Sequence, residues 1–372
     1  MPLSAFLRSY FSNEKKHGSR DRKCIAQLCY SYYRAGHLVK DLPVEKGILS
    51  ALFLCSTEKN EILEAIEPRC NHSLHSDIDE KLALIGINKH IEDIFPFSNE
   101  LSDGIDHHSF SHSLLTQPDL FIRIRPGNKK KVISKLDHAG IKYSFRQEDC
   151  LALHNTTRLD NVLAFNKEVV VQDMNSQKTL DQLTPPSEGQ GEARRVWDAC
   201  AGSGGKSILA KDRLGNIDLT VSDSRESILI NLKKRFKESG IINYKSTVTD
   251  LTKPTARSSQ LIAPSFDIII TDVPCSGSGT WGRTPEQLFY CKADQISAFA
   301  ERQKTIVENC WPHLKPGGQL LYITCSVFHK ENEEVIGHIK QKFHPRSTGM
   351  ELLKGYNSKA DTLFAALLSK GL

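Results

Sequence analysis

Several features that define other classes of protein are missing from this 372-residue chain. No apolar run approaches the roughly 20 residues of a membrane-spanning helix. The N-terminus lacks the basic segment, apolar segment and cleavage site of a secretory signal peptide. No internal repeat is evident. These absences favour a cytoplasmic protein that is not inserted in a membrane, and the length predicts two or three domains.

Metal-binding patterns are missing as well. The ten cysteines include no Cys-x-x-Cys pair and no disulfide-framework spacing, so no structural zinc is expected. Four of them fit small apolar core residues: Cys24, Cys29, Cys55 and Cys310. His107, His108 and His112 lie in a Ser/His/Asp-rich segment without a cysteine or carboxylate framework, which predicts a mobile polar loop. The sequence therefore predicts no metal.

Positive charge is present in two clusters, although the net charge is only +5. The first cluster comprises Lys15, Lys16, Arg20, Arg22 and Lys23. The second comprises Arg123, Arg125, Lys129, Lys130, Lys131, Lys135, Lys142 and Arg146. Such clusters can follow a phosphate backbone, and a solvated surface is the alternative for either one.

The first part of the chain has helical periodicity. Apolar residues recur at helical spacing in residues 25–33, 48–53 and 62–66, and Gly18-Ser19 is a start signal for the first of these helices. Residues 1–95 are therefore predicted to be helical, and residues 96–118 to form a connecting loop.

A small α/β unit is predicted next, over residues 119–165. It contains a strand at 120–124, a helix at 130–139 and a second strand at 141–145. A strand-like segment at 169–173 leads into a helix, and a linker rich in Pro, Gly and Glu spans 184–192.

Strands and helices alternate from Arg195 to the C-terminus, which predicts a mostly parallel sheet with helices on both faces. The predicted strands are 196–197, 217–221, 247–248, 266–270, 319–323 and 363–367. The predicted helices are 205–213, 225–239, 293–314 and 331–343. Pro316-Gly317-Gly318 predicts a sharp turn between a helix and a strand.

A glycine-rich loop follows the first of these strands, in the segment 198–207. A phosphate-binding loop would need glycine where Cys200 stands, and a dinucleotide fingerprint would need glycine where Ser207 stands. An acid at the strand end before a short glycine loop suits S-adenosylmethionine, whose amine Asp198 could hold. Asp223 and Asp250 follow the next two strands and are candidates for the ribose and the adenine, with helix N-caps as the alternative.

Two cysteines follow strongly apolar runs that end predicted strands. Cys275 lies in Asp-Val-Pro-Cys-Ser-Gly after residues 266–270, and Cys325 lies in Thr-Cys-Ser after residues 320–323. Because ligands bind at the carboxyl ends of strands in an open parallel sheet, both thiols can face one substrate. This arrangement indicates covalent catalysis.

These motifs together resemble the Sun-type (RsmB/NOP/NSUN-like) S-adenosylmethionine-dependent RNA cytosine-5 methyltransferases over residues 119–372. The segments that carry the resemblance are 171–176, 198–206, 272–277, 315–318, 324–333 and 363–365. More loosely, 15–22 resembles the NusB-like RNA-binding domain of some members. The resemblance implies a Rossmann-like class I methyltransferase domain at 166–372, preceded by a small α/β RNA-binding unit and an all-α NusB-like domain.

The resemblance also implies the roles of individual residues. Cys325 would attack the cytosine, Cys275 would assist release of the product, and Asp272 would hydrogen-bond the base. The implied cofactor contacts are Asp198, Ala199, Cys200, Ala201, Gly202, Ser203, Gly204, Gly205, Lys206, Asp223, Arg225, Asp250 and Asp272. Lys206 would orient the aspartate or the base, with a surface lysine as the alternative.

Three further features bear on the site. The family usually has Ala-Pro where this chain has Gly202-Ser203. Trp281 and Arg283 follow the Cys275 loop, where they are placed to stack on a base or hold a phosphate, and core packing is the alternative for Trp281. Glu331-Asn332-Glu333 is expected to cap the following helix and to hold the Cys325 loop.

The expected partner is RNA, bound by a monomer. Ribosomal RNA is preferred because the NusB-like domain accompanies ribosomal members of the family, and transfer RNA is the alternative. A DNA cytosine methyltransferase is a rival function, since such enzymes use a Pro-Cys nucleophile. A non-catalytic RNA-binding or ribosome assembly factor is the second rival.

Overall fold

The structure is a computed structural model that describes residues 2–183, 193–253 and 266–372. The chain divides into two compact units. The helical unit comprises Met1–Pro118, Ser278–Ala293 and Tyr356–Lys359, and the sheet unit comprises Asp119–Gly277, Asp294–Gly355 and Ala360–Leu372. The predicted linker at 184–192 lies outside the described residues. Within the described ranges, no helix combines the length and apolar character that a membrane crossing requires.

The helical unit confirms the helices predicted for residues 1–95. Numbered along the chain, its α-helices are Leu3–Asn13 (α1), Ser19–Arg34 (α2), Gly36–Val39 (α3), Val44–Cys55 (α4), Glu61–Ile66 (α5), Pro68–His72 (α6), Ile78–Leu84 (α7), His107–Ser113 (α8) and Pro285–Tyr290 (α13). Short 3₁₀ helices lie at Ile91–Ile94, Ser98–Glu100, Ser278–Thr280 and Tyr356–Ser358. As predicted, α2 begins at Ser19, where the Gly18 N–H donates to the Asp21 carboxylate at 2.9 Å.

The loop predicted at residues 96–118 is wrong in part, because it contains α8. The Asp106 carboxylate accepts the Ser109 N–H at 2.8 Å, which caps this helix, and Phe110 anchors it in the core at 2% exposure. Two of the three histidines are bonded within the unit, His107 to the Phe95 carbonyl and His108 to Glu92. No group of residues suited to hold a metal occurs in the part of the chain that the structure describes.

The sheet unit contains a small antiparallel sheet in the order β2-β3-β1-β4. Its strands are Leu120–Ile124 (β1), Ser144–Gln147 (β2), Cys150–Leu153 (β3) and Val169–Val171 (β4), with a helix at Lys129–His138 (α9). The strand predicted at 141–145 begins later, at Ser144, although Ile141 and Tyr143 pack against the core of this sheet. β4 pairs with β1, so the small sheet includes a strand beyond the expected boundary at residue 165.

The second basic cluster is not one surface. Arg123 is 3% exposed and its guanidinium contacts the Asp212 carboxylate at 2.7 Å. Arg125 contacts the same carboxylate at 2.8 Å. Because residues two apart in an extended segment point to the same side, Arg123 and Arg125 can both reach Asp212. The expectation that they follow a phosphate backbone is therefore wrong, whereas Lys130 and Lys142 are exposed.

The larger sheet has seven strands in the order β10-β11-β9-β8-β5-β6-β7. They are Arg194–Asp198 (β5), Ile217–Asp223 (β6), Lys245–Val248 (β7), Phe266–Asp272 (β8), Leu314–Thr324 (β9), Ser347–Leu353 (β10) and Leu363–Ser369 (β11). Pairing is parallel from β9 through β7 and antiparallel among β9, β11 and β10. The predicted mixed α/β fold with a mostly parallel sheet is confirmed, although β10 was not predicted.

Helices cover both faces of this sheet. They are Met174–Lys178 (α10), Gly205–Leu214 (α11), Glu226–Ser239 (α12), Ala293–Cys310 (α14) and Glu333–Phe343 (α15), with 3₁₀ turns at Trp311–His313 and His329–Glu331. One core includes apolar side chains of α11 and α12, and the other includes those of α14 and α15. The alternation of β5 explains this division, because Val196 lies in the first core and Trp197 in the second.

The predicted turn at Pro316–Gly318 lies inside β9. Phe266 pairs with Leu314 and Ile268 with Gln319, so the intervening residues of β9 form a bulge rather than a helix–strand turn. Gly317 has a φ of +72°, which an L side chain rarely adopts.

The chain order of the strands locates a crevice. β6 and β7 lie on one side of β5, and β8 and β9 lie on the other. The order thus reverses at β5, and the crevice outside the carboxyl ends of β5 and β8 is where open α/β sheets bind ligands. Asp198 and Asp272 end these two strands.

Candidate active site

The two predicted cysteines lie side by side. Cys275 follows β8 and Cys325 follows β9, and their Sγ atoms are 3.3 Å apart. Both side chains are partly buried. Because β8 and β9 are parallel neighbours, their carboxyl ends bring the two loops to the same edge of the sheet.

The environment of Cys275 favours its protonated thiol. The pKa of Cys275 is raised well above its ordinary value by the hydrogen-bonded Cys325 thiol, by burial and by the nearby Glu331 carboxylate. Two thiolates at this separation would repel each other. Cys275 is therefore suited to keep its proton and to donate a hydrogen bond when the neighbouring sulfur ionises.

A buried carboxylate connects the two cysteine loops. Glu331 has no solvent exposure, and its Oε2 accepts the Ser276 N–H at 2.9 Å. Its Oε1 accepts the Ser326 hydroxyl at 2.7 Å. Ser276 and Ser326 are the residues directly after Cys275 and Cys325, so one side chain fixes both backbones next to the thiols.

A second layer of polar residues supports this carboxylate. Gln303 of α14 donates to Glu331 Oε2 at 2.8 Å, and the Tyr322 hydroxyl donates to the Glu331 carbonyl at 2.6 Å. Thr324 donates to Asn332, which in turn donates to the Ser326 carbonyl. These contacts meet the expectation that this segment holds the Cys325 loop. The expected cap is not found in the side chain of Asn332, the residue before α15, which makes no capping hydrogen bond to that helix.

Asp272 faces a buried lysine. The Lys206 ammonium lies 3.3 Å from Asp272 Oδ2 and donates to the Ser176 hydroxyl at 2.7 Å. Lys206 is only 7% exposed, so the alternative of a surface lysine is wrong. The side chain of Asp272 is about one-third exposed and can reach a substrate.

Asp198 is the most deeply buried acid of the site. It has no solvent exposure, and the Ser207 hydroxyl donates to its Oδ2 at 2.5 Å. Its Oδ1 has no hydrogen-bond partner among the described residues. Burial raises the pKa of Asp198 to about 7, and the nearby charges of Asp272 and Asp223 add to this effect. A cationic group next to Asp198 would therefore stabilise its ionised form.

The glycine loop runs from the end of β5 to the start of α11. Ala199, Cys200 and Ala201 continue from Asp198, while Gly202 and Gly204 adopt left-handed φ values of 52° and 84°. Both glycines are therefore required by the backbone. The Gly205 N-terminus of α11 follows directly, which places backbone N–H groups at the crevice.

The remaining predicted residues have different surroundings. Asp223 accepts the Gly202 N–H at 3.1 Å and the Arg225 guanidinium at 3.1 Å, so it is joined to the glycine loop. Asp250 accepts both the N–H and the hydroxyl of Thr252, as a turn cap does. Trp281 is 1% exposed and packs on Phe95 within the helical unit. It is therefore a core residue, which was the alternative to stacking on a base.

The part of the chain that contains both cysteines is similar to a known protein family. Residues 182–359 match the model of the family described as 16S rRNA methyltransferase RsmB/F. Over these residues the chain is similar to the RsmB/F family. The predicted Sun-type resemblance is therefore confirmed for the region that carries both cysteines.

Curated relatives and solved structures agree with this family. Ribosomal RNA small subunit methyltransferase B of Xylella fastidiosa is 29% identical over 238 residues, which cover 63% of this chain and 53% of the relative. The chain spans about half the length of the curated relatives it matches. The crystal structure of PH0851 has a TM-score of 0.72 at 20% identity and covers 98% of this chain and 93% of its own.

A third comparison is NSun6 from Pyrococcus horikoshii, solved with SFG. It has a TM-score of 0.58 at 16% identity and covers 68% of this chain and 91% of its own. At these identities the likeness concerns the fold, which is the methyltransferase fold that the sequence predicted.

Sequence reasoning did not identify every residue of this site. Gln303 was missed, although the pattern contained a signal for it. Ile296, Ala300 and Val307 mark the buried face of α14, and Gln303 occupies a position on that same face. A polar residue at a core position of a helix predicts a buried hydrogen bond. Arg235, which contacts the glycine loop, carried no such signal. It follows Lys233 and Lys234, both exposed, and such a basic run is typical of a solvated helix face.

Proposed function

We propose that this protein is an S-adenosylmethionine-dependent RNA cytosine-5 methyltransferase that acts on ribosomal RNA. The observation that carries the proposal is the pair of thiols 3.3 Å apart beside the Lys206–Asp272 pair. The RsmB/F family match and the names of the curated relatives support ribosomal RNA as the substrate. We place the enzyme in the cytoplasm as a monomer, with residues 1–95 and 119–165 contacting RNA.

The residues at the crevice fit the cofactor. Asp198 Oδ1 is a buried oxygen without a partner among the described residues, and the positively charged amine of S-adenosylmethionine is a suitable partner for it. The two left-handed glycines allow close approach of the backbone, and Asp223 and Asp250 would lie toward the ribose and adenine. When bound, S-adenosylmethionine supplies an electrophilic methyl group.

Cys325 begins the reaction in this proposal. Its thiolate adds to carbon 6 of the cytosine, and the electron pair of the 5,6 double bond becomes available at carbon 5, which takes the methyl group. Asp272 hydrogen-bonds the ring and stabilises its protonated form, while Lys206 orients Asp272. Carbon 5 then loses its proton to a base, and the carbon–sulfur bond to Cys325 breaks as the double bond is restored.

Cys275 assists that last stage. Its thiol lies within hydrogen-bond distance of Cys325, and its raised pKa keeps it protonated while its neighbour is the thiolate. A positioned thiol can then act in the proton transfers that accompany release of Cys325 from the product.

The substitution Cys325→Ala tests the assignment against its reverse. We expect Cys325→Ala to abolish methyl transfer, because no sulfur can add to carbon 6. Cys275→Ala should accumulate a covalent protein–RNA adduct, visible as a shifted band on a denaturing gel. An adduct formed by Cys325→Ala instead would reverse the two roles.

The substrate is tested in cells that lack the gene. Bisulfite sequencing of total RNA and of genomic DNA should show one ribosomal RNA cytosine that loses its mark. Loss of a mark in transfer RNA would favour the alternative substrate, and loss in DNA would favour the rival methyltransferase. No methyl transfer by the wild-type protein to any nucleic acid would favour a binding or assembly factor.

A further inference from the structure

The midpoint of the glycine loop is held from outside the loop. Ser203 stands between Gly202 and Gly204, both in left-handed conformations, and its side chain is exposed. Because glycine is the residue with the greatest backbone freedom, this segment depends on outside contacts to keep one conformation. Arg235 of α12 reaches it, donating from Nη1 to the Ser203 hydroxyl at 2.7 Å and to the Ser203 carbonyl at 3.1 Å.

Arg235 is itself fixed by a polar chain. Its Nε donates to Asn166 Oδ1 at 3.0 Å, and Asn166 Nδ2 donates to Glu238 Oε2 at 2.7 Å. The Asn166 carbonyl accepts Arg125 Nη1 at 2.8 Å. Asn166 adopts a φ of 61°, an uncommon conformation for a residue other than glycine. The guanidinium thus has a defined position before it contacts the loop.

The same helix also supports the underside of the loop. A Cβ atom at Gly204 would lie 2.6 Å from Phe236 Cε1 and 3.1 Å from Leu232 Cγ. The loop therefore rests directly on α12, with Phe236 and Leu232 below Gly204 and Arg235 beside Ser203. On the opposite side, Asp223 accepts the Gly202 N–H.

We propose that Arg235 is a positioning residue for S-adenosylmethionine, acting through Ser203 to hold the glycine loop in its binding conformation. This inference rests on the proposed function. Arg235 bonds Ser203 in the glycine loop after β5, whereas the two cysteines follow β8 and β9. Its effect is therefore expected on cofactor binding and not on the cysteine chemistry. A loop that is ordered beforehand loses less conformational entropy when its ligand binds.

The test is calorimetric titration of the full-length protein with S-adenosylhomocysteine. We expect Arg235→Met, which keeps much of the aliphatic stem, to weaken binding about five- to tenfold. Ser203→Ala should weaken it about threefold, since the carbonyl contact remains. Arg235→Lys, which keeps one charged donor, should recover part of the loss. Lys234→Met is the matched control, because it removes an exposed charge from the same helix, and it should bind as the wild type does.

Kinetics separate positioning from a general loss of structure. Arg235→Met should raise KM for S-adenosylmethionine and leave both kcat and KM for RNA unchanged within about twofold. If Arg235→Met does not fold, Ser203→Ala carries the same test from an exposed side chain. Unchanged binding by Arg235→Met or Ser203→Ala, or an equal loss in Lys234→Met, overturns this inference alone. A wild-type protein that binds no S-adenosylhomocysteine overturns the proposed function and this inference together.

Discussion

The cysteine loops and the glycine loop lie at the same edge of the sheet but are held in different ways. The cysteine loops are joined by Glu331, a carboxylate without solvent exposure that bonds Ser276 and Ser326. The glycine loop is held by Asp223 and Arg235, and its contact with Arg235 is at an exposed serine. The cysteine loops are fixed by a carboxylate inside the protein, whereas the midpoint of the glycine loop is fixed by a contact at the surface.

The difference agrees with what each loop has to do in the proposed reaction. Covalent attack requires the reacting atoms at about 3–3.5 Å in a fixed orientation, so rigid loops beside the thiols are favourable. A loop that admits and releases a ligand in each cycle needs less rigidity. Buried carboxylates are costly unless all their acceptor positions are bonded, which explains the additional contacts of Glu331 with Gln303.

The largest effect is expected when Glu331 is removed. Glu331→Ala leaves the Ser276 N–H and the Gln303 amide without this buried acceptor, so we expect a loss of about 3 kcal/mol in stability and at least about 100-fold in methyl transfer. Glu331→Gln can keep a similar number of hydrogen bonds while losing the charge. It should retain most of the stability and lower the pKa of Cys275, shifting the pH profile of the reaction to lower pH.

Urea unfolding and pH–rate profiles provide these measurements. Glu334→Ala is the control, because Glu334 contacts only an exposed histidine among the described residues. If Glu331→Ala reacts as fast as the wild type, the cysteine loops do not depend on the buried carboxylate, and the contrast between the loops disappears.

A smaller effect on activity is expected at Asp198, where cofactor binding and stability should change in opposite directions. Because the pKa of Asp198 is raised to about 7, the cofactor-free protein retains a proton that the unfolded chain releases near pH 4. Its stability should therefore fall as the pH rises from about 4 to 7, by at most about 4 kcal/mol from this group. Asp198→Asn should lack this loss and melt at a higher temperature at pH 8.

The same variant should bind S-adenosylhomocysteine at least about tenfold more weakly, because the amine loses its anionic partner. Binding to the wild type should also weaken below pH 7, by up to about tenfold per pH unit. Thermal unfolding and titration at pH 5 and pH 8 measure both effects. Equal affinity of Asp198→Asn and the wild type at pH 8 would show that Asp198 does not hold the amine.

The smallest effect is expected at Ser176. Its hydroxyl accepts from the Lys206 ammonium at 2.7 Å, and Lys206 orients Asp272 in the proposed reaction. Ser176→Ala removes one neutral partner of this lysine, so kcat should fall about three- to tenfold, equivalent to about 1 kcal/mol. Ser176→Thr retains a hydroxyl and should restore most of the rate. A kcat unchanged in Ser176→Ala would indicate that Asp272 alone fixes the lysine.

Much of the fold could be predicted because its signals are local. Apolar runs between glycine and charged segments identified β5, β6, β8 and β9, and helical periodicity identified the N-terminal helices. β10 was missed because most of its residues are exposed, so no apolar pattern marks them. The position of β4 in the small sheet was also missed, since its partner β1 lies more than 40 residues earlier in the chain.

The candidate site could be predicted in its residues and less well in their surroundings. The acids and cysteines at strand ends follow from the motifs. For Arg123 and Arg125 the sequence offered only a phosphate contact or a solvated surface, because a run of basic residues does not reveal a distant partner. Asp212 on α11, which binds both of them, becomes their neighbour only when the small sheet packs on that helix.

The sequence by itself determined the type of sheet, the residues at its strand ends and the resemblance to the RsmB/F family, because short segments carry this information. Only the tertiary structure decided that two thiols 50 positions apart lie 3.3 Å from each other. It also decided that one buried carboxylate holds both of their loops and that Arg235 holds the glycine loop. Such contacts depend on which strands become neighbours, and burial then determines how strongly each polar group needs its partner.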